Sequence, residues 1–145
     1  MSFANIPVDD GSCFACGPQN PIGLHLEFER SGPQSVRAQI TLAPQFSGWK
    51  NMAHGGIAMA LLDEAMAHAA AAAGFRGMTA SLHSRFRAPV PLQTPLEILG
   101  EVVWIRRNVL SLRARVFAGV HLLLEGEGRF VAKGRIEDVQ DLRSG

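Results

Sequence analysis

The sequence predicts an α+β domain in which one long central helix packs against an antiparallel sheet of about five to six strands. Two patterns support this fold class: an apolar run over residues 55–73 that is rich in helix formers, and short segments in which apolar and polar residues alternate. A helix that is apolar almost all round must be buried, and one sheet supplies the surface that buries it.

Length and composition fit a single domain over residues 1–145, of which residues 1–23 form a turn-rich amino-terminal segment. With 47% hydrophobic and 19% charged residues the chain is globular, and its net charge of +1 gives no general attraction to nucleic acid or anionic membranes. The amino terminus lacks the regions of a secretory signal, and Asp63, Glu64 and His68 interrupt the longest apolar stretch. We therefore expect a cytoplasmic protein without nucleic-acid or membrane partners.

Two strands are predicted before the helix, over residues 24–30 and 36–42, because apolar and polar residues alternate in both. The Ser-Gly-Pro sequence at residues 31–33 separates them as a turn, so the two strands are expected to form a hairpin. Residues 44–53 then form a loop that leads to the helix.

The helix is predicted over residues 55–73, where good helix formers include a run of alanines, and Gly74 is a natural stop. A meander of four strands follows, over residues 79–87, 96–106, 110–117 and 122–132. Turns between these strands are expected at Arg107-Asn108 and at Gly119. A lone sheet has edges to pair or a face to cover, which favours a dimer.

The helix opens at His54-Gly55-Gly56, where free backbone N–H groups and the positive end of the helix dipole lie. Two glycines let a ligand approach the main chain closely. Such a terminus suits the oxyanion of a tetrahedral intermediate. The alternative is a glycine-rich loop that simply packs closely against a strand.

Asp63 is predicted to lie among apolar neighbours on the helix, namely Met59, Ala60, Met66 and Ala67. A carboxylate in such surroundings is costly unless it is paired. A carboxylate held in a closed apolar site suits the nucleophile or general base of a hydrolytic reaction. The alternative is an aspartate that caps a neighbouring strand or bonds a loop.

The spacing of these two features predicts a composite site. Asp63 follows Gly55 by eight residues, which places the two about 12 Å apart along one helix. One substrate carbonyl cannot be held by the Gly55 amide and attacked through Asp63 of the same helix. If both act on one substrate they come from different subunits, which predicts a dimer with two composite sites.

Three stretches of the chain resemble hot-dog-fold thioesterases of the PaaI-like and thioesterase-superfamily type. Residues 54–64, His-Gly-Gly-Ile-Ala-Met-Ala-Leu-Leu-Asp-Glu, resemble the helix motif of that group. Residues 78–82 and 86–89 resemble the strand that follows, and residues 13–24 resemble the amino-terminal segment of one branch. The resemblance covers most of the chain in order. It implies a hot-dog fold, with the sheet wrapped around the helix, and hydrolysis of an acyl-CoA or acyl-carrier thioester.

By this resemblance, Asp63 matches the catalytic carboxylate and Gly55 matches the residue whose amide polarises the thioester carbonyl. His54 sits at the start of the helix, where it orients the loop or touches the thioester, and Thr79 matches a hydroxyl residue that helps to hold the attacking water. The site of the family spans a dimer interface. Some relatives place an asparagine six residues before the histidine, and here that position is Gly48.

Coenzyme A is expected only as part of the substrate, and no separate cofactor is expected. Its phosphates need basic residues. Between residues 76 and 115 the sequence contains seven arginines but only two acidic residues. Exposed strand positions filled with arginine explain this excess equally well. Phe46 and Trp49, in the loop before the helix, are candidates to line an acyl pocket or to pack in the core. The candidate substrate contacts are Gly56, Arg85, Arg87 and Arg106.

Cys13 and Cys16 form a Cys-x-x-Cys pair that suits half of a zinc site or a redox centre. A zinc site needs four ligands, and His25 is the only nearby candidate in the sequence. The glycine–proline run after Cys16 argues against a redox motif, which opens a helix after a strand. We interpret the two residues as buried thiols in a turn and predict no metal site.

Several alternatives stay open at this point. A non-catalytic acyl-CoA-binding module is compatible with the Gly48 departure. An enoyl-CoA hydratase needs an aspartate and a histidine five residues apart; Asp63 and His68 have that spacing, but on a continuous helix they point about 140° apart. The assembly is at least a homodimer, and a tetramer built as a dimer of dimers is the other candidate.

Overall fold

The structure of the protein is a computed structural model, and it describes residues 9–135. One long helix and a six-stranded antiparallel sheet make up the described chain, which confirms the predicted α+β class. A short 3-10 turn, Pro44–Phe46, lies in the loop before the helix. The elements in chain order are β1 (Glu29–Gly32), β2 (Ser35–Thr41), α1 (Gly55–Ala72), β3 (Phe75–Phe86), β4 (Pro95–Arg106), β5 (Val109–Ala118) and β6 (His121–Arg135).

The strands are ordered β1-β2-β4-β5-β6-β3 across the sheet. The predicted meander of four strands is therefore wrong: β4, β5 and β6 form a meander, while β3 pairs with β6 at the far edge. The helix lies across the sheet, so the strand that follows it starts at the opposite edge, and β4 then pairs with β2. Alternation along a strand reports which side chains are buried, but it carries no information on which strands are neighbours.

Close approach between the helix and the sheet depends on glycines in the strands beneath it. A Cβ atom at Gly100 of β4 would lie 2.4 Å from the carbonyl oxygen of Ala65, and one at Gly126 of β6 would lie 2.9 Å from the Leu62 side chain. The sheet therefore presents backbone to the helix at these points, and the alanine-rich face of α1 packs directly on it. No helix within residues 9–135 is long and apolar enough to cross a membrane.

The chain before β1 departs from the predicted strand. Residues 24–28 alternate in burial as expected, but they do not belong to the sheet. His25 has a φ of 55°, which breaks the extended run. Two of the amides in this segment donate instead to the carbonyl oxygens of Phe14 and Ala15, both at 2.8 Å. The amino-terminal segment is thereby held against the remainder of the domain.

Turn positions were predicted more closely than strand ends. Arg107, with a φ of 57°, and Gly119, with a φ of 60°, lie in the two expected turns, and Gly74, with a φ of 95°, follows the end of the helix. β1 continues through Gly32, so the first turn begins at Pro33, two residues later than predicted. β3 begins at Phe75, directly after the helix, rather than at residue 79.

Candidate functional site

The structure brings together two of the predicted site residues, Asp63 and Thr79. The Thr79 hydroxyl donates to Oδ1 of the Asp63 carboxylate at 2.7 Å. Asp63 is half-buried on α1, and Thr79 lies on β3 at the edge of the sheet. Within residues 9–135 the carboxylate makes no other hydrogen bond or ion pair, so Oδ2 is left available to a water or a substrate.

A bulge in β3 gives Thr79 this position. The pairing with β6 skips Ala80, so that Thr79 lies opposite Phe130 and Leu82 lies opposite Gly128. Phe130 and Gly128 are both buried beneath the helix. In a regular strand, residues three apart point to opposite faces. The bulge re-aims the strand, and Thr79 and Leu82 both come to the helix side.

At the start of the helix, the backbone amide of Gly56 is hydrogen-bonded and that of Gly55 is free. His54 caps the helix, and its Nδ1 accepts from the Gly56 amide at 2.9 Å. No acceptor among the described residues bonds the Gly55 amide. A Cβ atom at Gly55 would meet no heavy atom within 4 Å, so close packing against a strand does not explain this glycine. His54 thus orients the start of the helix, and Gly55 presents an open amide.

An apolar cavity of about 450 Å³ lies beside the start of the helix. Its aromatic walls are Trp49, with 84% of its surface exposed, and Phe86 at the end of β3, with 48% exposed. Phe46 does not line this cavity; it packs edge-on against Phe14, with ring centroids 6.4 Å apart. The remaining lining residues include Gly48, Met52, Ala53, His54, Gly55, Pro89 and Val90.

Both halves of the candidate site border β3. Thr79 lies near one end of this strand beside Asp63, and Phe86 lies at its other end beside the Gly55 cavity. β3 pairs with β6 on one side only, so it is an edge of the sheet, and Met78 on this strand is 39% exposed. Because α1 runs unbroken from Gly55 to Ala72, the Gly55 amide and the Asp63 carboxylate of one chain are two helical turns apart.

The candidate arginines Arg85, Arg87 and Arg106 do not line the apolar cavity of their own chain. Arg85 and Arg87 lie on the outer face of the sheet, as the alternation predicted, and Arg85 lines a groove of about 470 Å³ there. Arg87 donates to Glu125 at 3.1 Å. The guanidinium of Arg106 lies over the ring of Trp104, 4.6 Å from its centroid. Contacts between these arginines and a substrate stay a prediction.

Gly48 is packed tightly against the start of the helix. A Cβ atom there would lie 2.9 Å from the Cα of His54, and the Gly48 amide donates to the Met52 carbonyl at 2.9 Å. This loop therefore has no space for the asparagine that some relatives carry at the same spacing.

A second constellation lies on the neighbouring face of the helix, around Glu64. His68 Nε2 lies 3.1 Å from Glu64 Oε1, the Cys13 thiol lies 3.8 Å from the same oxygen, and the His68 ring stacks on Phe28 at 4.7 Å. Burial raises the pKa of Glu64, but hydrogen bonds from His68 and Cys16 outweigh it and hold that pKa below its ordinary value. Burial and the nearby carboxylate raise the pKa of the Cys16 thiol far above its ordinary value.

Sequence reasoning missed this constellation. The sequence pointed to His25 as the only ligand near the cysteines, but His25 is exposed and its Nε2 lies 2.6 Å from the carbonyl oxygen of Asn20. The side chain that lies next to the two thiols with a potential ligand atom is instead Glu64. The sequence shows the two halves of this constellation separately, as the Cys-x-x-Cys motif and as a Glu64–His68 pair four residues apart. No sequence pattern indicates that residue 13 contacts residue 64.

The hydratase pairing of Asp63 with His68 is not formed. Asp63 bonds Thr79 at the β3 edge, whereas His68 bonds Glu64 under the amino-terminal segment. The two side chains therefore point to different sides of the helix, as the angle of about 140° between them on a continuous helix predicted.

Comparison with known proteins places this geometry in a family. The thioesterase superfamily profile matches residues 50–125. A crystal structure of a thioesterase superfamily protein is 26% identical, has a TM-score of 0.79 and covers 90% of this chain and 69% of that chain. No curated protein matches the sequence significantly.

Two further structures share the fold at lower identity. The PaaI protein of the E. coli phenylacetic acid degradation operon is 16% identical, with a TM-score of 0.72, over 77% of this chain and 82% of its own. A hypothetical thioesterase of Streptococcus pneumoniae, solved with coenzyme A, is 18% identical, with a TM-score of 0.72, over 76% of this chain and 90% of its own. These likenesses confirm the predicted hot-dog fold.

The family match includes the whole of the helix motif and the strand that follows it. His54, Gly55, Asp63 and Thr79 all lie inside the matched region, which covers more than half of the chain. With the fold confirmed and the match extending over these residues, the chain belongs to the thioesterase superfamily.

Proposed function

We propose that the protein is a thioesterase that hydrolyses an acyl-CoA or acyl-carrier thioester, with Asp63 as the base or nucleophile and the Gly55 amide as the oxyanion donor. The observation that carries this proposal is the hydrogen bond from Thr79 to Asp63 at the edge strand, which leaves one carboxylate oxygen available. Membership of the thioesterase superfamily supports it, as does the coenzyme A bound to the Streptococcus pneumoniae relative.

In the direct route, Asp63 removes a proton from water as the water oxygen attacks the thioester carbonyl. The negative charge that develops on the carbonyl oxygen is stabilised by the N–H of Gly55 and by the positive end of the helix dipole. Collapse of the intermediate breaks the carbon–sulfur bond, and the proton held by Asp63 passes to the leaving thiolate. Thr79 holds Asp63 in position through Oδ1, so that Oδ2 faces the water.

In the alternative route, the Asp63 carboxylate attacks the carbonyl and displaces the thiolate, which leaves a mixed anhydride for water to open. Labelled water in a single turnover detects the anhydride route when water opens the anhydride at its Asp63 carbonyl. An anhydride opened at the Asp63 carbonyl places heavy oxygen in Asp63, whereas direct hydrolysis places it only in the released acid. Mass analysis of the peptide that contains Asp63 reads the result.

The proposed site is shared between two subunits. The Gly55 amide and Asp63 of one chain are about 12 Å apart along the helix, which is too far for both to act on one carbonyl. A second copy that pairs along the free edge of β3 would bring the Gly55 amide of the partner subunit towards Asp63 and cover Met78 and Phe86. Burial of exposed apolar groups on an unpaired edge strand favours such pairing.

The cavity beside Gly55 suggests where the acyl group binds. Its walls are largely apolar, with Trp49 from the loop before the helix and Phe86 from the end of β3. A thioester carbonyl bound at the rim of this cavity would lie at the free amide of Gly55. The phosphates of coenzyme A then fall outside the cavity, where arginines of the outer face are candidate partners. Coenzyme A is the only cofactor-like group that this proposal requires, as part of the substrate.

A panel of aryl, short-chain and medium-chain acyl-CoA esters, assayed for release of free thiol, tests the proposal. We expect turnover of at least one class, and a loss of about 10²- to 10⁴-fold in kcat for Asp63→Asn, because a positioned base contributes that much. Glu97→Gln, which removes a carboxylate from β4 away from the site, is the matched control. If no ester is hydrolysed while wild type and Asp63→Asn bind coenzyme A esters equally, the protein is a binding module instead. Hydration of crotonyl-CoA would point to a hydratase.

A further inference from the structure

The cluster formed by Cys13, Cys16 and Glu64 lies apart from Asp63 and Thr79, and its chemistry does not depend on the proposed function. The two thiol sulfurs and a carboxylate oxygen all lie within 4.8 Å of one another. All three residues are partly buried, and the Glu64 side chain is only 13% exposed. Both cysteines also pack against the core, but two sulfurs and a carboxylate oxygen that converge in this way have the donor types of a metal site.

The distance between Cys13 and Glu64 fits a tetrahedral zinc site, and the Cys16 sulfur lies within 4.8 Å of both ligand atoms. Zinc lies about 2.3 Å from a thiolate sulfur and about 2.0–2.2 Å from a carboxylate oxygen, so ligand atoms around it are roughly 3.5–3.8 Å apart. Cys13 Sγ lies 3.8 Å from Glu64 Oε1. An ion can therefore replace the thiol proton between these two atoms with little movement of either side chain.

The turn that carries the cysteines is fixed by the backbone. The Gly17 amide donates to the Cys13 carbonyl at 2.8 Å, which closes the turn behind both thiols. A Cβ atom at Gly17 would lie 2.3 Å from the Gly11 carbonyl oxygen and 2.4 Å from the Cys13 nitrogen, so only glycine fits there. The Cys-x-x-Cys-Gly turn thus presents both sulfurs to α1 without a further loss of chain entropy on binding.

A second layer holds the carboxylate in place. His68 Nε2 lies 3.1 Å from Glu64 Oε1, and Phe28 stacks on the His68 ring with an angle of 21° between the planes. Metal-binding carboxylates are commonly held by such hydrogen bonds, which orient them and tune their basicity. His68 is therefore a positioning residue for Glu64, and it is not counted among the ligands.

A cavity of about 560 Å³ adjoins the cluster and is lined by Cys13, Cys16, Glu64 and His68. We propose that Cys13, Cys16 and Glu64 bind one zinc ion, with a water or a small ligand from this cavity as the fourth donor. Soft thiolates select zinc over magnesium and calcium, which prefer oxygen ligands alone. Binding releases two thiol protons to solvent for each ion, so charge and atoms balance.

Zinc bound in this way joins the amino-terminal turn to the middle of α1. The turn is held otherwise by backbone hydrogen bonds to residues 14 and 15, the thiol contact and apolar packing. A ligand that binds the folded state raises the midpoint of thermal unfolding in proportion to the logarithm of its free concentration. Added zinc should therefore stabilise the protein, and magnesium should not.

The test is titration of the whole protein, with its thiols first reduced by a phosphine and counted, with cobalt(II) and then with zinc. We expect one cobalt ion per chain, a thiolate-to-cobalt charge-transfer band in the near ultraviolet, and displacement of that ion by one equivalent of zinc. Cys13→Ser, Cys16→Ser and Glu64→Gln should each weaken binding by tenfold or more, and His68→Gln by about ten- to hundredfold. His25→Asn is the matched control and should bind as wild type does, because asparagine tolerates its positive φ.

A wild-type protein with two free thiols that shows no charge-transfer band and retains no zinc overturns the proposal. So does a band of undiminished intensity at unchanged cobalt affinity in both Cys13→Ser and Cys16→Ser, since the ion would then bind elsewhere. Circular dichroism checks that each variant folds. If the serine variants do not fold, the proposal is tested by the charge-transfer band of the wild type and by the metal affinity of Glu64→Gln compared with that of His25→Asn.

Discussion

Thr79 on the edge strand β3 and Asp63 on the helix α1 are joined by a hydrogen bond of 2.7 Å between the threonine hydroxyl and Oδ1 of the carboxylate. The bond depends on a bulge that turns Thr79 towards the helix. It fixes the rotamer of a half-buried carboxylate at the free edge of the sheet and leaves its second oxygen accessible. Positioning of this kind is what a general base or nucleophile requires.

Thr79→Val should lower kcat by roughly ten- to hundredfold with little change in KM, because a hydrogen bond to a charged group contributes about 1.5–3 kcal/mol. Valine keeps the shape of the side chain and removes only the donor. Thr79→Ser keeps the donor and should restore most of the turnover. Steady-state kinetics of the three proteins check this. Full activity in Thr79→Val, or no recovery in Thr79→Ser, contradicts the assigned role.

Gly55→Ala should fold as well as wild type and still lose activity. The added methyl group points into open space, where it meets no atom of the same chain within 4 Å, and alanine is the better helix former. In the proposed complex that space holds the thioester carbonyl, so kcat/KM should fall by at least about tenfold, a loss of about 1.4 kcal/mol in transition-state binding. Thermal unfolding and kcat/KM are measured together. An alanine variant with unchanged kcat/KM would place the oxyanion elsewhere.

Gly100→Ala should give the opposite pattern. Its methyl group would lie 2.4 Å from the carbonyl oxygen of Ala65, so the helix and β4 must move apart. Overpacking of this kind costs about 1–3 kcal/mol of the free energy of unfolding. Urea denaturation measures the loss, with Gly55→Ala as the matched glycine-to-alanine control. Equal stability of the two variants would show that close contact between helix and sheet is not required.

Local patterns in the sequence predicted the helix, the two later turns and the outward face of Arg85 and Arg87. The alanine-rich run ended at Gly74 as expected, and Arg85 and Arg87 lie on the outer face. The place of β3 in the sheet was not predictable in this way, because alternation is the same whichever neighbour a strand has. Residues 24–28 show the same limit: they alternate in burial, yet a positive φ at His25 keeps them out of the sheet.

The candidate site was predicted residue by residue, but its geometry was not. Asp63 and Thr79 were named separately, and only the bulge at Ala80 shows how a threonine on that strand reaches the helix side. The gathering of Glu64 with Cys13 was missed because it depends on a contact between residues 51 apart in sequence. Such contacts arise from the fold and leave no local pattern.

The central claim is that the Gly55 amide and Asp63 act on one substrate from two different subunits, and subunit complementation tests it most directly. Two variants, Asp63→Asn and Gly55→Val, are co-expressed with different tags, and the mixed dimer is isolated through both. One of its two sites then has both groups intact, so we predict about half of the wild-type activity per dimer, although each parent homodimer is inactive. A mixed dimer no more active than its parents would contradict the shared site.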